Sequence, residues 1–343
     1  MFRLTRFLEE IARPTPPGPR RTPPGPVVIW NLVRRCNLTC KHCYSFSADT
    51  DYPGELDTAQ VYAVMRDLRA FGVPVLILSG GEPLLRPDLF AITAEAKRLG
   101  FYVGLSTNGT LIDAPMSARI AAAGFDYVGI SLDGLRATHD RFRRRAGAFD
   151  ASVQALRLLR DAGLKAGVRF TLTEDNAGDL PALLDFVEAE SLDKFYLSHL
   201  NYAGRGNIHR GRDALHRTTR DAMDLLIERT WGWVESGAPK EVVTGNNDAD
   251  GVYLLHWAAR RFPDRVAGLR AKLAQWGGNA SGVNIANIDN LGEVHPDTFW
   301  WDYPLGNVKD RPFSAWGGVV AARKLFGAEL NGMLDELSEA LAA

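Results

Sequence analysis

The sequence predicts an α/β protein in which six strand–helix units build a parallel sheet. From Val27 to about Tyr202, short β-branched or aromatic runs alternate with longer stretches of helical period, the pattern of repeated βα units. Gly72, Gly100, Gly124 and Gly163 each stand just past the last periodic residue of a helical stretch, where a left-handed cap costs glycine little. Polar and glycine-rich clusters follow the strand C-termini, the end at which such folds bind ligands. Six units are too few to close an eight-stranded barrel.

The elements follow in order. Phe2, Leu4, Phe7, Leu8 and Ile11 recur at near-helical spacing, which predicts a short amphipathic helix. The stretch PTPPGPRRTPPGP, residues 14–26, forbids helix and ladder pairing alike and reads as an extended strap. Strands are expected at Val27–Val33, Val75–Ser79, Tyr102–Ser106, Tyr127–Ser131, Gly167–Leu172 and Lys194–Ser198. Helices fall between them at about Thr58–Phe71, Pro87–Leu99, Asp113–Ala123, Phe149–Ala162 and Leu180–Ala189. Residues 203–240 read as a connecting helical region, and 241–316, rich in Asn, Gly and Trp, as irregular. A last amphipathic stretch, Val319–Leu341, closes the chain. The expected division is 1–26, 27–240 and 241–343.

Composition narrows the function classes. The 343 residues carry 40 Lys+Arg against 41 Asp+Glu, a net charge of -1, so no uniform field of either sign draws in nucleic acid or an anionic membrane. At 46% hydrophobic and 24% charged the chain is neither disordered nor collagen-like. Its longest apolar run, Val73–Leu78, is interrupted by Pro74 and is far short of the roughly 20 residues that span a bilayer. Glu9 and Glu10 sit where a signal peptide would be apolar. A cytoplasmic protein without nucleic-acid or membrane partners is expected.

The 3 cysteines, Cys36, Cys40 and Cys43, form one close-set group of odd number, which is no disulfide framework and points to metal ligation. Their i, i+4, i+7 spacing directly after the first strand lets one loop wrap one metal centre. Zinc is the rival occupant, but a structural zinc site wants four ligands and only His42 lies nearby. Three thiolates on a [4Fe–4S] cluster would leave one iron open to a small molecule.

With this spacing the loop Cys36-Asn-Leu-Thr-Cys40-Lys-His-Cys43-Tyr44 resembles that of the radical SAM superfamily. The resemblance implies a partial (βα)6 barrel with a C-terminal extension, one [4Fe–4S] cluster on Cys36, Cys40 and Cys43, and S-adenosyl-L-methionine as cofactor. Tyr44 matches the aromatic common after the third cysteine. Ser79-Gly80-Gly81-Glu82-Pro83 resembles the family's GGEP element, implying SAM contacts from Gly80, Gly81 and Glu82. Ser106-Thr107-Asn108-Gly109 and Ser131-Leu132-Asp133-Gly134 stand where relatives contact the SAM carboxylate and ribose, which implicates Thr107, Asn108, Ser131 and Asp133. Each tetrapeptide alone reads as a turn. Arg143 resembles a carboxylate fork, although it lies among Arg141, Arg144 and Arg145, a run that also reads as a solvated face. No catalytic side chain is singled out. Family chemistry implies reductive cleavage of SAM to a 5′-deoxyadenosyl radical, with electrons from a donor such as flavodoxin or ferredoxin.

Stretches such as Phe195–Asn207, Val243–Trp257 and Trp276–Asn307 extend the likeness to the pre-heme d1 synthases, over nearly everything from Met1 to about Trp316. That resemblance implies a tetrapyrrole substrate, 12,18-didecarboxysiroheme, from which two propionate side chains are removed. Trp257, Trp276, Phe299, Trp300, Trp301 and Tyr303 with Arg205, Arg210 and Arg212 would suit a flat carboxylated macrocycle, and they also suit core and solvated surface. His199, His209, His256 and His295 are candidate ligands to the substrate iron. Members of that family carry C-terminal cysteines for an auxiliary cluster, and no cysteine follows Cys43 in this sequence. Two further enzyme readings remain, another tetrapyrrole substrate or a peptide substrate, and one non-enzyme reading, a tetrapyrrole carrier.

Overall fold

The structure is a computed structural model that describes residues 1–15, 25–278 and 281–316. Most of the proline strap and the helix expected at Val319–Leu341 lie outside the described residues.

A helix, α1 (Leu4–Ala12), precedes the first strand. The alternating region then runs β1 (Val27–Val33), α2 (Thr58–Phe71), β2 (Val75–Gly80), α3 (Leu89–Arg98), β3 (Tyr102–Thr107), α4 (Ala114–Ala123), β4 (Tyr127–Ser131), α5 (Arg136–Arg143), α6 (Ala148–Asp161), β5 (Ala166–Leu172), α7 (Leu180–Ala189) and β6 (Lys194–His199). All six expected strands and all five expected helices are present, with α5 an additional short helix between β4 and α6. After β6 come α8 (Gly204–Ile208), α9 (His216–Glu235), β7 (Glu241–Gly245), α10 (Ala249–Arg261), α11 (Val266–Trp276), β8 (Ile285–Ile288), β9 (Glu293–His295) and β10 (Gly306–Asn307). The stretch 241–316 is therefore more regular than its composition suggested: strands as short as β8 and β9 leave little periodicity to read.

One sheet holds the ten strands in the order β10-β9-β8-β1-β2-β3-β4-β5-β6-β7. The six expected strands pair in parallel, β7 extends them in parallel beyond β6, and β8 lies parallel to the other side of β1. The antiparallel β9 and β10 form the C-terminal extension. The sheet passes straight across residue 240.

Local chemistry fixes the helix ends. Asp57 and Gln60 form a reciprocal capping box at the start of α2, and Gly72 ends that helix at φ +94°. Asp113 caps α4 through the Met116 amide, with Pro115 in the first turn. The apolar face of α1 is buried at Leu4, Leu8 and Ile11, and Phe2 exchanges two backbone hydrogen bonds with Thr244, covering the edge of β7. The core is the near-continuous apolar strand interior expected of a parallel sheet, with Trp30, Leu76, Leu105, Ile130, Phe170 and Phe195 all sealed from solvent. Among the described residues no helix is long and apolar enough to cross a membrane.

The end of β2 is pressed onto the segment that leaves β1. Gly81 N–H donates to Val33 O at 2.6 Å and Glu82 N–H to Arg35 O at 2.9 Å. A β-carbon on Gly81 would lie 2.3 Å from the carbonyl oxygens of both Arg34 and Arg35, whereas one on Gly178 would meet nothing within 4 Å. Gly81→Ala should accordingly destabilise the protein by about 3 kcal/mol, because backbone must move. Gly178→Ala should stay within about 0.5 kcal/mol of the parent. Thermal or urea denaturation of the two variants checks this.

Candidate functional site

The site lies at the C-terminal end of the parallel strands. The loop leaving β1 carries Cys36 and Cys40, both buried, and the half-buried Cys43, none in a disulfide. Each sulfur has a polar neighbour: Leu38 N–H donates to Cys36 Sγ at 3.4 Å and Asn108 Nδ2 at 3.9 Å, Arg143 Nη1 donates to Cys40 Sγ at 3.4 Å, and Ser45 Oγ lies 3.4 Å from Cys43 Sγ. Burial, reinforced by Glu82, pushes the Cys36 thiol up to about 12. Burial also raises Cys40, against the pull of Arg143. Such thiols become thiolates by binding metal, which releases their protons. Three free thiols on one loop, each beside a donor that would steady a thiolate, fit an iron–sulfur cluster, and among the described residues no fourth protein ligand of the zinc kind stands with them: His42 faces Asp133 instead.

The loop is held by its backbone. Arg205 donates from Nε to Cys40 O at 2.7 Å and from Nη2 to Ser47 O at 2.9 Å, while its own amide donates to Cys43 O at 2.8 Å. Gly204, at φ +54°, comes so close that a β-carbon would lie 2.3 Å from Tyr44 O. Arg205 is thus a staple of the cysteine loop, a role that neither the substrate-cation nor the solvated-surface reading gave it. Arg210 and Arg212 are exposed, and Arg212 pairs with Asp175.

The strand-end motifs converge on this loop. Gly80 and Gly81 supply the close approach described above. Glu82 is fully buried and accepts from Thr107 Oγ1 at 2.7 Å, Asn108 N–H at 2.9 Å and Leu84 N–H at 3.1 Å. Burial raises its pKa above the usual carboxylate range against these bonds. Asn108 Nδ2 donates to Asn37 Oδ1 at 2.8 Å, inside the cysteine loop. Ser131 stands half-buried at the end of β4.

Asp133 is the centre of a buried polar cluster. Its carboxylate accepts from Arg143 Nη2 and from Thr171 N–H, the latter at 2.9 Å, and lies 3.4 Å from His42 Nε2. Burial works against its charge, yet Arg143 holds its pKa below the ordinary value. Burial pushes His42 down to about 4 and His139 to about 3; both rings are neutral, and His139 Nδ1 accepts from Asp133 N–H at 3.0 Å. Arg143 is buried while Arg141, Arg144 and Arg145 are exposed, so only one of the four faces the site. Its guanidinium bridges Asp133 and a cysteine sulfur.

Tyr44 is bound from the other side. Asn31 Nδ2 donates to its Oη at 2.7 Å, Asn31 Oδ1 accepts from Asn287 Nδ2 at 2.6 Å and from Thr298 Oγ1 at 3.2 Å, and Phe299 and Trp301 pack edge-on against the ring. Sequence reasoning missed Asn31, Asn287 and Thr298. A polar residue inside an apolar strand, as Asn31 is in VVIWNLV, was the available signal, since buried polar groups need partners.

The other aromatics and histidines separate. Trp257 packs with Trp231 and Phe262, and Trp276 with Phe2 and Phe7, so both are core. Trp300 and Tyr303 are exposed. His295 is buried and stacked on Trp301. His199 and His256 line a cavity of about 1060 Å³ beyond β6 and β7, and His209 lines a smaller one of about 270 Å³ with Lys41 and His42.

Comparison with known proteins agrees with this geometry. The radical SAM superfamily model matches residues 30–187. The pre-heme d1 synthase of Dinoroseobacter shibae is 56% identical over 321 residues, covering 93% of this chain and 80% of that protein. The Fe-coproporphyrin III synthase of Methanosarcina barkeri is 44% identical over 289 residues, covering 84% of this chain and 72% of that protein. Among solved structures, Streptococcus suis SuiB bound to S-adenosylmethionine shares the fold at a TM-score of 0.69 and 15% identity, covering 87% of this chain and 68% of that one. The cysteine loop at the end of β1, the strand-end motifs closed around it and these relationships give one conclusion: the chain belongs to the radical SAM superfamily.

Proposed function

We propose that the chain is a radical SAM enzyme of the pre-heme d1 synthase kind, removing propionate side chains from 12,18-didecarboxysiroheme. The observation that carries the reading is the three-thiol loop, in a chain that is 56% identical to a pre-heme d1 synthase and holds a cavity of macrocycle size. In this reading Cys36, Cys40 and Cys43 hold one [4Fe–4S] cluster, and Tyr44, Gly80, Gly81, Glu82, Thr107, Asn108, Ser131, Asp133 and Arg143 surround SAM. When bound there, the cluster and SAM would supply one-electron reductive cleavage chemistry.

The protein's own residues have three tasks. Arg205 keeps the loop in shape through two carbonyls. Arg143 places a fixed positive charge against Cys40, which favours the anionic sulfur that metal requires. Glu82, Thr107 and Asn108 lock the ends of β2 and β3 to each other and to the loop, so that the reacting groups meet in one geometry. The chain works in the cytoplasm with a flavodoxin or ferredoxin as donor, and its division into 1–26 (helix and strap), 27–240 (radical-generating core) and 241–343 (C-terminal region) is one of sequence, since the sheet and the large cavity draw on both sides of residue 240.

Anaerobic reconstitution with iron and sulfide should load about four irons per chain. Incubation with SAM, reductant and 12,18-didecarboxysiroheme should then release 5′-deoxyadenosine in proportion to tetrapyrrole consumed. Cys36→Ala, Cys40→Ala or Cys43→Ala should abolish both, and deoxyadenosine release indifferent to the tetrapyrrole would remove the substrate assignment. Arg205→Ala loses two charge-assisted hydrogen bonds worth roughly 1.5–3 kcal/mol each. It should shorten the life of the loaded cluster against a chelator at least about tenfold, followed by absorbance, while Arg212→Ala leaves it unchanged.

A further inference from the structure

The large cavity lies beyond the ends of β6 and β7, and its volume of about 1060 Å³ stands at the top of the usual small-molecule range of roughly 300–1,000 Å³. A smaller cavity links it to the cysteine loop. Leu200 lines both this cavity and the smaller one beside Lys41 and His42, and the chain from Leu200 onward turns back to place Gly204 and Arg205 on Cys43 and Tyr44.

The charged groups facing the cavity are unequally committed. Asp250 is paired, accepting from His199 Nε2 at 3.0 Å and from Thr244 Oγ1, while Asp213, at the Tyr202 side, accepts from Tyr202 Oη at 2.6 Å. Arg220 lines the cavity with no hydrogen-bond or ion-pair partner among the described residues. The cavity thus offers one guanidinium outside any ion pair, a feature that suits an anionic group on the ligand. At its inner wall stands His199, 8% exposed. Its Nε2 is held by Asp250, and its second ring nitrogen, Nδ1, has no partner among the described residues. Burial alone would lower the pKa of His199, but Asp250 overcomes it and raises the pKa, favouring the form in which both ring nitrogens donate.

We propose that His199, oriented by Asp250 and Thr244, binds a carboxylate side chain of the substrate in this cavity and so selects carboxylated macrocycles. The inference rests on the tetrapyrrole reading above and adds the group that recognises the side chain. The two nitrogens divide the work: Nε2–H fixes the ring on Asp250, and Nδ1–H meets the ligand in a site shielded from water, where a charge-assisted hydrogen bond counts most.

The probes are iron coproporphyrin III, which carries four carboxylates, and its tetramethyl ester, titrated anaerobically into the full chain with its cluster and followed in the Soret band. The parent should bind the acid at least tenfold more tightly than the ester. His199→Gln, which keeps a donor but no charge, should weaken the acid about tenfold and leave the ester unchanged. Asp250→Asn should act in the same direction, with far-ultraviolet circular dichroism and iron content as in the parent. Equal weakening of acid and ester, or full acid binding by His199→Gln, would overturn the role of His199 while leaving the tetrapyrrole reading intact. Failure of the parent to bind either porphyrin would overturn both.

Discussion

Everything at this site depends on how closely two pieces of backbone approach one another. The segment Gly80–Glu82 hydrogen-bonds to Val33 and Arg35 at a distance that leaves no room for a β-carbon. That contact decides where the chain leaves β1 and therefore where the cysteine loop begins. It also fixes Glu82, whose carboxylate then reaches across to Thr107 and Asn108. Three strand ends are brought into one register by a pair of glycines, and the metal-ligating loop inherits that register. This is preorganisation in a literal sense: the framework is set by backbone contacts that exist before any ligand binds.

The second layer is electrostatic. Arg143 and Asp133 form a buried ion pair flanked by two neutral histidines. Breaking such a pair costs about 3–5 kcal/mol because the remaining charge is stranded, even though forming it gains little over apolar packing. Its value here is positional. The acid holds the guanidinium where its other nitrogen meets Cys40, so a charge that would otherwise be solvated is kept against sulfur.

Much of this was legible in the sequence, for physical reasons that differ by element. The strands from β1 to β6 were readable because parallel strands buried on both faces are continuous apolar runs, and the helices because capping signals such as Asp57 and Gly72 are local. The cysteine spacing is local too. What was not legible depends on long-range contact. Nothing in the sequence around Arg205 distinguishes a loop staple from a substrate cation, because its partners are carbonyls some 160 residues earlier. Trp257 and Trp276 have the composition of a binding wall and the neighbours of a core. The pairing of His199 with Asp250 joins the end of β6 to α10, a separation of 51 residues, and no periodicity records it.

The position of β1 has an effect on biogenesis. It lies between β2 and β8, so one neighbour is made soon after it and the other much later, and Asn31 waits for Asn287 across 256 residues of chain. Contacts of such separation form late and slowly. Until then one flank of the central strand is an open edge, the kind of surface on which growing chains aggregate. The tyrosine that follows the third cysteine is anchored by that same asparagine, so a ribosome-bound chain can gather its three thiols long before the loop is rigid. A chain that ends before β8 would expose both an open strand edge and a cysteine loop whose tyrosine anchor lacks its asparagine partner.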